Sequence, residues 1–394
     1  MSDFNTDEWT SLTGDAGPFL RLAFLQALED TACVGNDSGW IPRYYGAYDG
    51  QRLVAVVPGY TKLDSYGEYV FDFSWANAYH HHGLNYYPKW VNAIPYTPVT
   101  GPRLLCNASH SDKASIINAL IEFIKADQEG MASSLHWLFT DHESSNHLAP
   151  HFPAERRNVQ FQWFNRSFTC FDSYLAVLTS RKRKDVRKAR ARIQAQNITC
   201  QRYTGEAISQ TVIDFFYQCY RQTYLKRSGH EGYLSLEFFQ NLALNMADNM
   251  LIVIAERDGN PIASALLFFD ETGLFGRYWG ALTSIDGLHF EVCYYQGIDF
   301  AIEKNLPIFN PGTQGEHKIL RGFEPIYCYS RHHLYHEGFH DAVTRFLAEE
   351  KPAIARYYQQ AFDALPFNQE YLDVITTGNE DFLSSSQSHR DRKT

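Results

Sequence analysis

Apolar residues recur along the chain with two different periods, which predicts a mixture of helices and strands. Spacings of three and four residues predict a helix that follows Ser111 and runs through Asp127, with Ser111 as its N-cap. The same spacing predicts helices at 18–28, 75–82, 180–196, 208–226, 235–246, 289–305 and 340–362. Short apolar or alternating runs predict strands at 44–48, 52–57, 66–73, 135–140, 159–164, 251–256, 262–269, 274–280, 307–310 and 327–335. Three prolines within 86–99 favour an edge strand or a loop there.

Two segments of the chain echo each other. The run DGQRLVAVVP begins at Asp49 and DGNPIASALL begins at Asp258, and in each a tight turn leads into a strand. The order of elements after each turn is similar, which indicates a duplicated α+β unit. We therefore predict a mixed α/β, or α+β, protein with domains at 1–170 and 171–377. The Ser-, Arg- and Asp-rich tail at 378–394 is predicted to be disordered.

The charge of the chain is unevenly distributed. Its 394 residues carry a formal net charge of -10, which argues against general binding to nucleic acid or anionic membranes. The predicted helix 180–196 is nevertheless strongly basic, so it is a candidate phosphate-binding element. The alternative is a solvated helix face that balances an acidic surface. The candidate phosphate ligands are Arg181, Lys182, Arg183, Lys184 and Arg187.

Several other classes of protein are disfavoured. Seven scattered cysteines without a C-x-x-C pair suggest reduced thiols in the cytoplasm. No apolar run approaches 18 residues, so no membrane span is expected, and the polar start of the chain has no signal-peptide core. The three histidines His80–His82 point in different directions on a helix, and no metal site is expected.

Six motifs carry a resemblance to a known family: GEYVFDFSWANAY from Gly67, YYPKW from Tyr86, PYTPVTGPRLL from Pro95, SRKRKDVRKAR from Ser180, HFEVCYYQGI from His289 and PGTQGEHKILRGFEP from Pro311. The chain resembles the FemAB-like N-acyltransferases of the GNAT superfamily. That resemblance implies two tandem GNAT-like domains in the Fem-type arrangement, followed by a long C-terminal helix. It implies transfer of an acyl or aminoacyl group to an amine on a small molecule or a cell-wall precursor.

One departure from the GNAT pattern leaves the donor open. GNAT domains that use CoA carry an R/Q-x-x-G-x-G/A loop, whose backbone amides hold a pyrophosphate. The corresponding residues Gly280–Gly287 have glycines without that spacing. The co-substrate is therefore either acyl-CoA or an aminoacyl-tRNA, the latter making charged tRNA a partner. A third alternative is a non-catalytic module that recognises peptidoglycan precursors.

The densest polar cluster follows a Pro-Gly turn in the second half. Lys318 is predicted to stabilise the oxyanion of acyl transfer, and Glu316 or His317 to relay a proton. The resemblance supports Lys318, since Fem-like proteins have a lysine in this region. Gln314 and Arg321 are predicted to orient the substrate. The alternative is a surface loop held by salt bridges.

Two further groups complete the predicted site. On the helix after His289, Glu291 is a candidate general base, with Tyr294, Tyr295 and Gln296 beside it. The alternative is that Glu291 caps the helix N-terminus and the tyrosines pack in the core. In the first half, carboxylates beside aromatic side chains suit a sugar or amino-sugar acceptor, although core packing explains the rings equally well. These candidates are Glu68, Asp72, Trp75, Tyr87, Lys89 and Arg103.

Overall fold

The structure is a computed structural model that describes residues 1, 4–14, 16–107, 110–313 and 315–376. The predicted tail at 378–394 and the predicted site residue Gln314 lie outside the described residues. No helix within the described ranges combines the length and apolar character needed to cross a bilayer.

The strands form one large sheet and one small sheet. In chain order they are β1 (Trp40–Pro42), β2 (Tyr45–Asp49), β3 (Arg52–Val57), β4 (Tyr60–Lys62), β5 (Lys89–Asn92), β6 (Leu105–Cys106), β7 (Ser134–Thr140), β8 (Ala154–Phe164), β9 (Ile198–Tyr203), β10 (Met250–Arg257), β11 (Asn260–Asp270), β12 (Gly273–Ala281), β13 (Ile308–Asn310) and β14 (Glu324–Leu334). The large sheet has the order β1-β4-β5-β7-β14-β8-β13-β12-β11-β10-β9, and the small sheet has the order β2-β3-β6.

The helices cover both sheets and the ends of the strands. They are α1 (Thr6–Thr13), α2 (Leu22–Asp30), α3 (Phe73–His81), α4 (Lys113–Gln128), α5 (His142–Leu148), α6 (Phe171–Ala176), α7 (Ser180–Gln194), α8 (Gln210–Ser228), α9 (Leu236–Asn245), α10 (Leu288–Phe290), α11 (Gln296–Glu303) and α12 (Glu337–Asp363). A π-helical turn at Glu291–Tyr295 joins α10 to α11, and Glu316–Arg321 forms a 3₁₀ helix.

The two halves of the chain exchange strands in the middle of the large sheet. The last strand of the second half, β14, lies between β7 and β8 of the first half, and β8 in turn lies between β14 and β13. Strand β14 pairs antiparallel with both β7 and β8. Its ladder with β8 covers nine positions, from Glu324↔Gln162 to His332↔Ala154. The halves therefore share one continuous hydrogen-bonded sheet.

Each half contains one parallel strand pair, as a duplication predicts. In the first half β5 runs parallel to β7, and in the second half β12 runs parallel to β13. The two echoed turns, at Asp49 and Asp258, lie in antiparallel hairpins formed by β2–β3 and β10–β11. The predicted duplication of an α+β unit agrees with this topology.

Helix α8 illustrates how the sequence positions an element of the site. The Ser209 side chain caps its N-terminus by accepting a hydrogen bond from the amide N–H of Val212, and Gly229 ends it at a positive φ of 72°. Its buried face packs so closely on β12 that a Cβ placed on Gly280 would lie 1.9 Å from the carbonyl oxygen of Cys219. A glycine is required at this contact because no larger residue fits.

Three predicted elements differ from the structure. The segment 66–73 is not a strand, since Gly67 and Tyr69 adopt positive φ angles and α3 begins at Phe73. The proline-rich segment 86–99 contains β5, a buried interior strand, because its prolines flank the strand and leave its ladder intact. The helix expected after Ser111 begins at Lys113, and its N-cap residue is Asp112.

Candidate active site

A large cavity opens where two parallel strands separate. Strands β12 and β13 pair at only two positions, Leu274↔Phe309 and Phe275↔Asn310. Beyond them the chain turns away through Pro311 and Gly312, whereas β12 continues along β11. The space between them belongs to a cavity of about 630 Å³, here called the main cavity.

A β-bulge lies in the wall of the main cavity. On β12, Gly276 faces Leu267 and Tyr278 faces Leu266, so Arg277 is an extra residue without a counterpart on β11. The Arg277 side chain reaches into the first half, where it donates a hydrogen bond to the carbonyl of Tyr96 at 2.7 Å. Bulges of this kind are common beside active sites, because they redirect side chains and interrupt the ladder.

The helix after β12 supplies the opposite wall. His289, Cys293 and Tyr294 line the cavity, and the π-helical turn places Cys293 and Tyr294 on the same widened coil. The Tyr294 hydroxyl lies 2.8 Å from Nε2 of His317. Burial, together with the charges of Lys318 and Arg321, lowers the pKa of His317, so its neutral ring can accept a proton.

Lys318 lies in the cavity wall with only 1% of its surface exposed. Its Nζ donates a hydrogen bond of 2.6 Å to the carbonyl of Gly312. Burial lowers the pKa of Lys318 to about 7, and the nearby charge of Arg277 acts in the same direction. A group poised near neutral pH can carry a proton or a positive charge when a substrate demands it.

The main cavity is electropositive. Arg227, Arg277 and Lys318 line it together with His289 and His317, and none of its lining residues in the described chain is Asp or Glu. A cavity that collects cations without a carboxylate favours an anionic ligand or a developing negative charge.

A second cavity adjoins the main cavity at the junction between the halves. This junction cavity has a volume of about 250 Å³. Tyr69, Thr313 and Gly315 line both cavities, so the two meet at these residues. Its other walls are aromatic, aliphatic and uncharged polar residues from β8 and neighbouring segments, namely Phe71, Phe139, Asn158, Val159, Gln160, Phe161 and Tyr357.

The structure brings His317 and Lys318 into the main cavity but leaves the two predicted glutamates outside it. Arg190 binds both carboxylate oxygens of Glu291, at 3.1 and 2.9 Å, so the general-base role expected for Glu291 has no geometric support. Glu316 is exposed and accepts a hydrogen bond from the Tyr357 hydroxyl at 3.1 Å. Sequence spacing could not show which side of each helical turn faces the cavity.

Of the residues predicted to orient the substrate in the second half, some line the main cavity and others do not. Tyr294 lines the main cavity, but Tyr295 is buried and packs against Phe171. Gln296 donates a hydrogen bond to Glu291, away from the cavity. Arg321 lies 3.4 Å from the centre of the Phe290 ring and donates to the carbonyl of His317, so it supports the 3₁₀ helix that carries Lys318.

The acceptor-binding residues predicted in the first half line neither cavity. Lys89 binds Glu68 at 2.8 Å and also forms an ion pair with Asp72, and all three side chains are buried. Low solvent access makes such a cluster a structural anchor rather than a binding surface. Tyr87 donates to or accepts from Ser65 at 2.7 Å beside this cluster.

Two other predicted acceptor-binding residues are also structural. Trp75 is buried and packs edge-on against the His332 ring at 4.9 Å. Arg103 is buried and donates to the carbonyls of Pro102, Leu138 and Val99. Backbone carbonyls inside the fold, rather than a ligand, satisfy its guanidinium.

The basic helix α7 presents much of its charge to solvent and lines neither cavity. Arg181, Lys184 and Arg187 are exposed, and Arg187 pairs with Asp172 at 2.9 Å. Arg183 donates to the carbonyls of Ala176 and Leu178. A phosphate-binding role for this helix, Lys182 included, stays a prediction.

Sequence reasoning missed several residues that line the main cavity. Arg277 and Trp279 lie in the strand sequence GRYWG, and glycines inside a strand are a recognised sign of a bulge or a close approach. Tyr69 has a positive φ of 61°, a conformation that sequence patterns do not predict for a tyrosine. Arg227, from the last turn of α8, reaches the cavity only through the packing of α8 on β12.

Comparison with known proteins supports the fold. The profile of the FemAB-like family, described as peptidoglycan biosynthesis/recognition, matches residues 1–369. A crystal structure of FemX is similar, with a TM-score of 0.53 and 10% identity, covering 86% of this chain and 98% of that one. The C-terminal DUF2156 domain of an Agrobacterium fabrum protein named as a lysylphosphatidylglycerol synthetase has a TM-score of 0.54 and 10% identity, covering 88% and 95%. No curated protein matches the chain.

These similarities confirm the predicted fold class. The structure is mixed α/β in the Fem-type arrangement, with the long helix α12 after its last strand. The predicted boundary between domains at residue 170 stays a prediction.

Proposed function

The chain belongs to the FemAB-like family, and from this premise we propose that it transfers an acyl or aminoacyl group to an amine acceptor, with the residues of the main cavity carrying the chemistry. The observation that carries the proposal is the buried Lys318 beside the Tyr294–His317 pair, at the point where β12 and β13 separate. A base, a cation and a cavity of sufficient size meet there.

Each of the three side chains has a proposed role in direct transfer. The neutral acceptor amine attacks the carbonyl carbon of the donor, and the C–N bond forms as a tetrahedral oxyanion develops. The Lys318 ammonium stabilises that oxyanion. His317, held by Tyr294, takes the proton that the attacking nitrogen loses. As the intermediate collapses, the C–O or C–S bond to the carrier breaks, and His317 returns the proton to the leaving oxygen or sulfur. No covalent enzyme intermediate is required.

An aminoacyl-tRNA is the donor that we favour over acyl-CoA. Residues 282–287, which follow β12, contribute no lining residue to either cavity. The backbone cradle that would hold a CoA pyrophosphate is therefore not supported there. The exposed cations of α7 offer a surface for an RNA backbone, and several phosphate contacts would make donor binding strongly dependent on salt.

The acceptor is proposed to be an amine of a peptidoglycan precursor. The support is the description of the family profile, peptidoglycan biosynthesis/recognition. A cytoplasmic location agrees with this proposal, because soluble precursors and charged tRNA meet in that compartment.

Donor binding is tested first by calorimetric titration with acetyl-CoA and, separately, with a mixture of aminoacyl-tRNAs. We expect saturable, salt-dependent binding of tRNA and none of acetyl-CoA. The variant Lys184→Glu/Arg187→Glu, on the exposed face of α7, is expected to weaken tRNA binding at least tenfold. Saturable binding of acetyl-CoA with no tRNA binding would assign the donor to CoA instead.

Transfer itself is tested by mass spectrometry. The protein is incubated with each donor and a muropeptide that carries a free amine, and the expected product is the muropeptide with one added acyl or aminoacyl mass. The Lys318→Met variant is expected to lower kcat roughly 100-fold, the loss typical of removing one oxyanion donor. Lys304→Met is the control, because Lys304 is exposed and lines neither cavity. Equal turnover by Lys318→Met and wild type would contradict the proposed site.

A further inference from the structure

One side chain that lines the junction cavity has a polar atom without a partner. Gln160 lies on β8 with 3% of its surface exposed, and its Oε1 atom is buried without a hydrogen bond in the described chain. Its Nε2 donates to the carbonyl of Pro98 at 3.2 Å. The carbonyl of Pro98 can only accept, so the amide nitrogen must face it and the oxygen must face away. A buried acceptor left unpaired is costly, and such atoms require an explanation.

The two cavities differ in charge. The main cavity is cationic, whereas none of the described residues that line the junction cavity is Asp, Glu, Lys, Arg or His. No carboxylate lines this pocket to pair with an ammonium ion, and acyl transfer requires the uncharged amine, so the amine binds there in its neutral form.

From this geometry we infer that the junction cavity is the subsite of the amine acceptor, and that Gln160 positions it by accepting a hydrogen bond from its N–H at Oε1. The inference rests on the proposed function and specifies its acceptor side. The acyl donor occupies the main cavity, and the acceptor reaches it where Tyr69 and Thr313 line both spaces. The chemical class is a primary amine next to an apolar group.

The wall of the junction cavity formed by Tyr69 and Phe71 is held in place by a buried ion-pair cluster. Glu68 and Asp72 are both held by Lys89, and they flank the segment that presents Tyr69 and Phe71 to the junction cavity. The positive φ of Tyr69 is maintained between these two anchors. The first-half carboxylates therefore shape the acceptor subsite without touching its ligand.

Binding is measured with two small probes at pH 9 by calorimetry. Alanine benzylamide carries an α-amine that titrates near pH 8 (about 7.7–8.0 for an α-amino group) and is largely neutral at this pH. Isobutyryl benzylamide has a methyl group in place of that amine. Wild type is expected to prefer the amine probe roughly tenfold, the effect of one buried hydrogen bond. Gln160→Leu is expected to lose this preference.

The matched control is Gln162→Leu. Gln162 lies two positions further along β8 and lines neither cavity, so this variant is expected to keep the preference. Phe71→Ala is a second variant. Its ring lines the junction cavity but is 56% exposed, so its removal is expected to leave the folded core intact. We expect it to weaken both probes equally. Equal preference for the amine in wild type and Gln160→Leu would overturn the inference.

The transfer assay separates this inference from the proposed function. With alanine benzylamide as acceptor, Gln160→Leu is expected to raise the KM of the amine roughly tenfold and to leave the KM of the donor unchanged. An unchanged KM of the amine, with Lys318→Met inactive, refutes the acceptor subsite alone. Amine-selective binding that depends on Gln160, without transfer by wild type from either donor, refutes the proposed function alone.

Discussion

At the scale of single residues, the molecule separates charges that serve stability from charges that serve the site. Lys89 is buried with two carboxylates as partners, whereas Lys318 is buried with cations around it and no carboxylate in its cavity. The first environment keeps the ammonium charged, and the pKa of Lys89 is raised by Glu68 and Asp72. The second environment lowers the pKa of Lys318 to about 7, so that its charge changes near neutral pH.

Replacing Lys89 by Met is expected to destabilise the fold by roughly 3–5 kcal/mol, because Glu68 and Asp72 would be left buried without their cation. Urea unfolding followed by circular dichroism measures the loss. Adding Glu68→Gln to this variant is expected to recover part of it, since one uncompensated carboxylate disappears. Lys304→Met, an exposed control, is expected to change stability by less than about 0.5 kcal/mol. A loss below about 1 kcal/mol in Lys89→Met would contradict the anchoring role.

Two buried histidines predict a loss of stability in acid. Nδ1 of His136 lies 2.7 Å from Nδ1 of His332. Burial lowers the pKa of His136 to about 3 and that of His332 well below its usual value. In acid, these histidines therefore bind protons in the unfolded chain but stay neutral in the folded chain. The free energy of unfolding falls as pH drops below about 6.5.

The variant His332→Asn tests this linkage. Between pH 6.5 and pH 4, its unfolding free energy is expected to fall less steeply than that of wild type, by about 1.4 kcal/mol per pH unit for one histidine. Comparing slopes removes the opposing contribution of Glu68, whose pKa burial raises to about 7. The exposed His80→Asn serves as control, and identical slopes in all three proteins would show that the buried pair is not responsible.

The pKa of Lys318 also predicts a pH dependence of the reaction. In the free enzyme the ammonium loses its proton as pH rises through about 7. If this charge stabilises the oxyanion, kcat/KM has a descending limb near pH 7. Lys318→Arg, which stays charged, is expected to lack that limb while keeping measurable activity. A limb of the same midpoint in both proteins would assign the titration to another group.

At the scale of elements, the cavity depends on how closely α8 and β12 pack. Thr223 of α8 donates a hydrogen bond to the carbonyl of Trp279 at 2.7 Å, and Gly280 leaves room for the backbone of Cys219. The bulge at Arg277 lies on the same strand, so β12 provides both the contact with α8 and the wall of the main cavity.

Gly280→Ala is expected to destabilise the protein by about 1–3 kcal/mol, because the new Cβ would lie 1.9 Å from a backbone oxygen and α8 would have to move. Thermal unfolding measures this effect. Gly338→Ala is the matched control in α12, where the residue is exposed and its nearest neighbour is a His336 ring atom at 3.4 Å. We expect that control to be neutral or slightly stabilising. Equal melting temperatures for the two variants would contradict the close packing.

At the scale of the whole molecule, the exchange of strands ties the two halves together. Residues 1–170 alone would lack β14, and both β7 and β8 would lose their shared neighbour. Residues 171 onwards alone would leave β14 without either partner. Rings from both halves also meet in one core, as Phe19 contacts Phe268 at 5.3 Å and Phe275 at 5.5 Å.

Neither half is therefore expected to fold alone. Expressed separately, residues 1–170 and 171–394 are expected to show few dispersed amide signals in two-dimensional NMR spectra. Co-expression is expected to restore the folded spectrum, because the exchanged strands can then pair. The full chain is expected to unfold in a single transition. A well-dispersed spectrum from either half by itself would show that the exchange is not required for folding.

The sequence by itself determined much of the order of elements. The helical stripes, the β10–β12 meander and the echoed turns are local patterns, and local periodicity reports which face of an element is buried. It also indicated Lys318 and His317, because they belong to the densest cluster of polar side chains, which follows a Pro-Gly turn.

Only the tertiary structure decided which polar residues share a cavity. Glu316 lies beside Lys318 in sequence and Glu291 lies in the preceding helical segment, but the direction of each side chain depends on the helical turn that carries it and on partners such as Arg190. Tyr69, Gln160 and Arg277 come from distant segments that meet through the exchanged sheet. Contacts between distant segments depend on how whole elements pack together, and local sequence patterns do not predict that packing.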